Sequence, residues 1–361
     1  MTTDGRERGA KLRDDIYAAY ERAQETRRPR SLRPSAIGRE CERSLWMSFR
    51  WAEELKMFSG NMLRLFETGH SQEDRLVGDL KRLGVEVAVR DQDDPKKQIG
   101  FELFDGHMNG FIDLAAVDVP HSTQEWVIGE CKSHNAKSFA KLEKEGVAVS
   151  KPEHYAQSQM YLHAFDVQEA LYLAASKDTD RLYFEFLPRD QRYIDRIIDK
   201  GNRIIFGYGA PPKINKSGDF FVCKMCDARA VCQEGKLPDR SCRTCMAGRP
   251  IPSHQVPIPE DWPHDPISGL PVDWVPPKGA WWCDIHETTL SLDAQKAGCE
   301  AHRYHTGMVD GDNTEAEADP DGISENYVYR MKDGSTWVDR GPAHDGQRES
   351  PPPVKEPEPT A

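Results

Sequence analysis

Two short apolar runs that each end in a carboxylate most constrain what this chain can fold into. The first run reads Gly-Phe-Ile and ends at Asp113; the second reads Val-Ile-Gly and ends at Glu130, which Cys131 and Lys132 follow. Runs of this length and composition are typical of β-strands. Because side chains alternate between the faces of a strand, Glu130 and Lys132 are expected on one face and Cys131 on the other. We therefore expect the two acidic side chains to converge at one edge of a sheet.

Carboxylates at the ends of buried strands need a compensating charge, because an isolated buried carboxylate is costly. Hard divalent cations prefer oxygen ligands of this kind. The pattern predicts that Asp113, Glu130 and the backbone carbonyl of Cys131 bind Mg²⁺ or Mn²⁺. Lys132 would then orient a nucleophilic water or neutralise the charge that develops on a phosphate. Such an arrangement is expected of a metal-dependent phosphodiesterase.

Two predicted helices add candidate residues to this site. The helix predicted over residues 60–83 carries His70 and Glu73, either of which could supply a metal ligand. The helix after the second apolar run carries Gln157 and Tyr161, which lie four residues apart. Residues at this spacing share one face of a helix. We expect both side chains to face the site.

The remaining periodicity predicts an α/β sandwich in which helices flank a mixed sheet. Asp105-Gly106 predicts a hairpin turn, and Ser150 with Glu153 predicts a capping box at a helix start. The predicted helices cover residues 11–28, 35–51, 60–83, 154–165 and 190–206, and the predicted strands cover 85–90, 98–104, 108–117, 126–132, 170–175 and 182–187.

The later cysteines have the spacing of a structural zinc site. Cys242 and Cys245 form one Cys-x-x-Cys pair, and Cys283 and Cys299 each precede a histidine by three residues. Structural Zn²⁺ takes four such ligands, and a small loop-rich region needs a staple of this kind. We predict these four cysteines as ligands; the alternatives are His286 and His302. Cys131 is predicted to be a buried strand residue.

The chain resembles the PD-(D/E)XK nuclease superfamily, and within it the RecB-like exonucleases, which include CRISPR-associated exonucleases and many phage recombination nucleases. The resemblance covers roughly residues 35–232 and is carried by four motifs: Gly69-His70-x-x-Glu73, Gly-Phe-Ile-Asp113, Gly129-Glu130-Cys131-Lys132 and Gln157-x-x-x-Tyr161. It implies a restriction-endonuclease-like core and an Mg²⁺- or Mn²⁺-dependent site that cleaves DNA. RecB-like members usually place a histidine ahead of the core, whereas members like the λ exonuclease use a glutamate. The choice between His70 and Glu73 therefore stays open.

The same resemblance implies an iron–sulfur cluster. RecB-like nucleases with a [4Fe–4S] cluster combine one remote N-terminal cysteine with three cysteines near the C-terminal end of the nuclease domain. The matching residues here are Cys41, Cys223, Cys226 and Cys232. Four thiolates would close the cluster and clasp the two ends of the domain. Zn²⁺ in the same four thiolates is the alternative.

Charge and composition favour a nucleic-acid partner in the cytoplasm. The formal net charge is −12, but residues 22–50 are rich in arginine and residues 132–151 in lysine. A phosphate backbone responds to such local fields. No apolar run is long enough to span a membrane, and the N-terminus lacks a signal-peptide core. The resemblance suggests a phage-encoded protein in the host cytoplasm, with a single-strand annealing or replication protein as a possible partner.

Composition also divides the chain into four predicted parts. These are a basic helical arm (residues 1–34), the nuclease domain with its cysteine clasp (35–235), a small zinc-binding module (240–307) and an acidic, mostly disordered tail (310–361). Two other functions remain compatible with the sequence. One is a catalytically silent DNA-binding or assembly module stapled by metals, and the other is an endonuclease or ribonuclease of the same fold.

Overall fold

The computed structural model is organised around one mixed five-stranded sheet. It describes residues 3–25, 27–259, 261–265, 267–268, 271–318, 325–331 and 333–344. The strands that build the first half of the chain are β1 (Glu86–Ala88), β2 (Gly100–Leu103), β3 (Met108–Phe111), β4 (Leu114–Val117), β5 (Trp126–His134), β6 (Glu169–Ser176) and β7 (Leu182–Pro188). The sheet has the order β1-β4-β5-β6-β7, in which only the β5–β6 pair is parallel. The β2–β3 hairpin lies outside it and turns through Asp105-Gly106, as predicted.

Helices cover both faces of this sheet. The helices of the described chain are α1 (Thr3–Ala23), α2 (Glu42–Phe49), α3 (Gly60–Arg82), α4 (Ala136–Ser150), α5 (Pro152–Ala164), α6 (Gln191–Phe206), α7 (Phe221–Lys224), α8 (Arg229–Glu234) and α9 (Leu292–Ala297). Of these, α3 packs on one face of the sheet, and α4 and α5 pack on the other. Leu76 and Leu80 of α3 pack with Val127 on one face, whereas Leu162 of α5 packs with Ile128 on the other. Consecutive residues of β5 thus enter different cores, as the period of a strand requires. The predicted mixed sheet flanked by helices is confirmed.

Two helix predictions are wrong in their details. Ser150 does not cap a helix: it is the last residue of α4, a helix that the sequence analysis missed, and its hydroxyl donates to the carbonyl of Gly146. The glycine has φ +73°, which lets the chain bend inside this segment. The helix predicted over 35–51 is a short 3₁₀ turn followed by α2, because Cys41 adopts an extended conformation at the N-cap.

The C-terminal part of the chain contains two small sheets. They are formed by β8 (Gly248–Pro250), β9 (Trp281–Cys283) and β10 (Thr288–Leu290), and by β11 (Gly311–Ala318), β12 (Glu325–Met331) and β13 (Thr336–Asp339). The second sheet lies in residues 311–339, within the segment predicted as an acidic, mostly disordered tail. Tyr329 and Trp337 bury their rings against Tyr304 there, which gives an otherwise acidic segment an apolar core. Residues 345–361 lie outside the described residues.

The region around β9 does not pack by itself. Trp281 and Cys283 share a core with Trp46 and Phe49 of α2, together with Met308. The chain thus joins the predicted zinc module to the helix that follows Cys41. Among the described residues, no helix is long and apolar enough to cross a membrane.

Candidate active site and thiol-lined cavities

Asp113 is fixed beside β5 by a backbone hydrogen bond. It precedes β4, and the adjacent Leu114 pairs with Gly129 across the β4–β5 ladder. Gly129 leaves room for the Leu114 side chain, because an added Cβ would lie 2.5 Å from a methyl carbon of Leu114 and would force that side chain to move. The two strands can then approach closely enough for the Cys131 N–H to donate to Asp113 Oδ2 over 2.7 Å. This bond holds the first carboxylate next to the strand that carries the second.

Glu130 and Lys132 lie on the same face of β5, as their spacing predicts. The Lys132 ammonium contacts Glu130 Oε1 and donates to the Cys131 carbonyl over 3.3 Å. The Glu130 side chain is 2% exposed, and its Oε2 atom has no hydrogen-bond partner among the described residues. Cys131 is buried among the α3-facing residues. The strand therefore presents a buried acid with one free ligand atom beside a cation.

The charges around Asp113 form one electrostatic cluster. Burial raises the pKa of Asp113, and the Lys132 ammonium and the Cys131 N–H oppose that rise. Burial followed by the nearby Asp113 charge raises the pKa of Glu73. Burial also lowers the pKa of Lys132, against the pull of Asp113 and Glu73. Three groups from α3, β5 and the start of β4 thus share one field.

Both α3 candidates lie near this cluster. His70 is exposed and Glu73 is half-buried, and they are three residues apart on the helix. His70 is close enough to favour the charged forms of Glu73 and Asp113, which lowers their pKa values against the effect of burial. Neither geometry nor charge decides which of the two would serve a metal.

An open cleft leads to Asp113. Gln157 and Tyr161 of α5 line it, and the Gln157 amide donates to the Tyr161 hydroxyl. The Gln157 Oε1 atom is buried and has no hydrogen-bond partner. At about 380 Å³ the cleft falls within the range of small-ligand sites. Its other lining residues are Pro29, Arg30, Ser31, Arg33, Pro34, Ser35, Gln98, Asn109, Gly110 and Phe111.

The sequence analysis missed a buried network beside Lys132. The Tyr172 hydroxyl bonds His134 Nε2 over 3.0 Å and His154 Nδ1 over 2.8 Å. Burial, with nearby lysines as the second cause, lowers the pKa of His134 to about 4 and that of His154 to about 3. Both rings are therefore neutral at pH 7 and join β5, β6 and α5 by hydrogen bonds. The position of His134, two residues beyond Lys132 on the same strand face, is the sequence signal that could have revealed it.

Replacing Tyr172 with phenylalanine should destabilise the fold by about 1–3 kcal/mol, because two buried imidazole nitrogens lose their partner. Urea unfolding of the variant and the parent measures the change in free energy. Tyr208→Phe is the matched control, since Tyr208 is fully exposed and no hydrogen bond of its hydroxyl occurs among the described residues. Equal stabilities for the two variants would contradict a structural role for the network.

The first cysteine set surrounds one small cavity. Cys41, Cys223, Cys226 and Cys232 all line it, and it has a volume of about 20 Å³. Burial raises the pKa of the Cys226 and Cys232 thiols, and the charge of Cys41 raises both further. The structure thus brings the remote cysteine to the other three, as the clasp prediction requires.

The second set surrounds another cavity, of about 10 Å³, lined by Cys242, Cys245, Cys283 and Cys299. Burial raises the pKa of Cys242 to about 12, and the other three thiols add to the rise. His302 also borders the cavity, but its ring nitrogens bond Thr244 Oγ1 (3.1 Å) and Arg240 (2.7 Å). His286 is exposed and does not border the cavity. The geometry favours the four cysteines over the histidines.

The candidate ligands at the carboxylates and in the two thiol-lined cavities do not form a complete metal-binding shell. In the part of the chain that the structure describes, no group of three or more His, Cys, Asp and Glu side chains is arranged to hold a metal ion. At the carboxylates, Lys132 and the Cys131 N–H already occupy one oxygen each of Glu130 and Asp113. Metal binding therefore stays a prediction at all three sites.

No protein-family model and no curated protein matches the chain. Among solved structures, it is similar to an alkaline exonuclease (LHK-Exo) from Laribacter hongkongensis at 13% identity and a TM-score of 0.36, over 53% of this chain and 89% of that one. The complex of LHK-Exo with dAMP gives 13% and 0.35 over the same shares. SSO0001 gives 14% and 0.34, over 61% of this chain and 96% of that one. Similarities at this level do not establish an activity for this chain.

Proposed function

We propose that this chain is a divalent-metal-dependent nuclease that hydrolyses phosphodiester bonds in DNA. Two observations carry the proposal: Asp113 lines an open cleft and accepts from the Cys131 N–H, and Glu130 and Lys132 on either side of Cys131 contact each other on one face of the adjacent strand. A sheet does not bury two acids and a lysine together for stability alone, because desolvating them costs more than their pairing returns. A charged site at a cleft is a typical place for catalysis.

The donor set fits a hard cation. Glu130 Oε2 is a buried oxygen without a partner, and Asp113 and Glu73 supply further carboxylates within the same field. These are the ligand types that Mg²⁺ and Mn²⁺ prefer. When bound, the cation would polarise a phosphoryl oxygen and lower the pKa of a water. Asp113, Glu130 and the Cys131 carbonyl are the proposed ligands, with His70 or Glu73 completing the set.

The other site residues would orient the DNA strand and neutralise the charge on its phosphate. Lys132 is partly buried, contacts Glu130 and lies in the field of Asp113, so its ammonium would place positive charge where a scissile phosphate gains negative charge. Burial raises the pKa of Tyr161, which keeps its hydroxyl protonated at pH 7 and able to donate. The Gln157 amide donates a hydrogen bond to that hydroxyl from the same face of α5. Both side chains would position the strand in the cleft.

A cleavage assay tests the proposal. End-labelled linear DNA, circular DNA and RNA of the same sequence are incubated with the protein and Mg²⁺, Mn²⁺ or a chelator. We expect short products from linear DNA with either metal and none with the chelator. Cleavage of circular DNA would assign an endonuclease, and cleavage of RNA alone a ribonuclease. Salt-sensitive DNA binding without any cleavage would replace the proposal by a silent binding module.

We further propose zinc in the second thiol set, and a [4Fe–4S] cluster or zinc in the first. A zinc ion with four thiolates carries a net negative charge. Arg50 is 4% exposed and lies in the field of Cys245; its guanidinium donates to the carbonyls of Arg243 and Gly248 and makes no ion pair with a described residue. Its buried guanidinium therefore has a counter-charge if the second set is metallated. The four thiols around one cavity and the buried Arg50 cation near Cys245 are the observations that support a metal there.

A further inference from the structure

Two arginines of the cleft have side chains without a partner. Arg30 and Arg33 are exposed and line the same cleft as Asp113, Gln157 and Tyr161. Neither guanidinium makes a hydrogen bond or an ion pair to any described residue, whereas Arg27 and Arg28 just before them are paired with Glu25 and Asp239. Unpaired guanidiniums beside a candidate phosphodiesterase site are suited to bidentate contact with phosphate.

The segment that carries them, which we name the strap (residues 29–35), is held by hydrogen bonds at three backbone positions. Trp51 Nε1 donates to the Pro29 carbonyl over 2.6 Å, and the Leu32 N–H donates to the His107 carbonyl over 2.8 Å. Leu32 itself is buried in the core. The strap has little regular secondary structure, so these bonds fix its path. A fixed path lowers the entropy that its arginines lose on binding a ligand.

The third anchor comes from the thiol-lined region. Arg243 lies between Cys242 and Cys245 in the chain, and its Nη2 donates to the Arg30 carbonyl over 2.8 Å. Its guanidinium also donates to the Phe49 carbonyl (3.0 Å) and the Gln295 side chain (2.9 Å).

The Arg243 side chain is buried at a high cost. It is 2% exposed, stacks 4.1 Å from the Trp51 ring and 4.6 Å from the Trp281 ring, and makes no ion pair with the described residues. Burying a guanidinium without a carboxylate is expensive. A long side chain that satisfies three separate acceptors therefore acts as a rigid link between the second thiol set and the strap.

We propose that the strap is the phosphate-binding element of the cleft, with Arg30 and Arg33 contacting the strand on either side of the scissile bond and Arg243 as the positioning residue. The inference rests on the proposed nuclease function and names the part of the chain that binds the polyanion. The contacts are to the backbone, so they carry affinity and salt dependence without sequence preference.

The test measures binding separately from cleavage. In a Glu130→Gln background, the affinity for a fluorescent single-stranded oligonucleotide and for its duplex is measured by anisotropy across a range of salt concentrations. Arg30→Gln and Arg33→Gln should each weaken binding by about fivefold near 0.1 M salt. Each should also reduce the slope of log K against log salt by about 0.7 for the single strand.

Arg192→Gln is the matched control, because Arg192 is exposed, has no side-chain partner among the described residues and does not line the cleft. Affinities and salt slopes for the strap variants equal to those of Arg192→Gln would overturn the proposal. If the parent cleaves no nucleic acid but the strap variants still lose affinity, the nuclease proposal fails and the strap proposal stands.

Arg243→Lys tests the positioning role, since it keeps the positive charge but removes the planar guanidinium that donates to three separate acceptors. It should weaken oligonucleotide binding about as much as Arg30→Gln does. In the Arg30→Gln/Arg33→Gln double variant it should add no further loss, because it acts through those residues. An additive loss would overturn the positioning role and assign Arg243 to general stability.

Discussion

Glu130→Gln is expected to reduce DNA cleavage on the order of a thousandfold, about 4 kcal/mol of activation free energy, while the protein stays folded. The amide keeps the size of the buried side chain but removes the charge that a cation would require. In this variant the buried Lys132 ammonium still interacts with the charges of Asp113 and Glu73, so it is not left without a counter-charge. Initial rates on linear DNA with Mn²⁺ measure the loss, and thermal unfolding checks the fold.

Glu125→Gln is the control for this experiment. Glu125 is exposed just before β5; its backbone carbonyl accepts from the Asp118 N–H, and its side chain has no partner among the described residues. Its substitution should leave the rate within about twofold of the parent. A Glu130→Gln protein that cleaves as fast as Glu125→Gln would show that the buried acid has no part in the chemistry.

Cys245→Ser is expected to remove the zinc that we propose for the second thiol set and to destabilise the protein by about 3–5 kcal/mol. Cys245 is 6% exposed and shares its cavity with three other thiols, so the loss of one ligand opens the whole site. Because Arg243 lies in the same segment and bonds the strap, the damage should extend to oligonucleotide affinity. Metal analysis and denaturant unfolding measure the two effects.

Cys131→Ser is the control: it measures the loss of stability from replacing a buried cysteine that is not a proposed zinc ligand. Cys131 is 7% exposed but borders neither thiol cavity. It should cost only about 1–2 kcal/mol and leave the zinc content unchanged. A parent protein without zinc, or a Cys245→Ser variant with the zinc content of the parent, would contradict the metal assignment. Iron and sulfide detected in the same analysis would assign an iron–sulfur cluster to the first thiol set.

Much of the candidate site followed from spacing alone. A strand has a period of two, so Glu130 and Lys132 had to share a face whatever the rest of the fold. A helix has neighbours four residues apart, which placed Gln157 with Tyr161. The short Cys-x-x-Cys spacing likewise kept each cysteine pair together. Local geometry determines these groupings, and the structure preserves them.

Other parts of the fold had no local signal. The α4 segment reads as a charged run after a strand, and its helix is stabilised where Phe139 and Leu142 meet the core of β6. The acidic composition of residues 311–339 hid the apolar positions that pack on Tyr304. The bonds from Tyr172 to His134 and His154 join three elements, and no single stretch of sequence reports on them.

By itself the sequence determined which side chains are grouped within one element or one short segment: Glu130 with Lys132, Gln157 with Tyr161, and the Cys-x-x-Cys pairs 223/226 and 242/245. Only the tertiary structure decided what those groups face. It placed Arg30 and Arg33 beside Asp113, and it connected Arg243 to the strap across more than two hundred residues of chain. The physical reason is range. Backbone periodicity acts within a few residues. Burial, and hydrogen bonds between residues far apart in the sequence, exist only once the chain has folded.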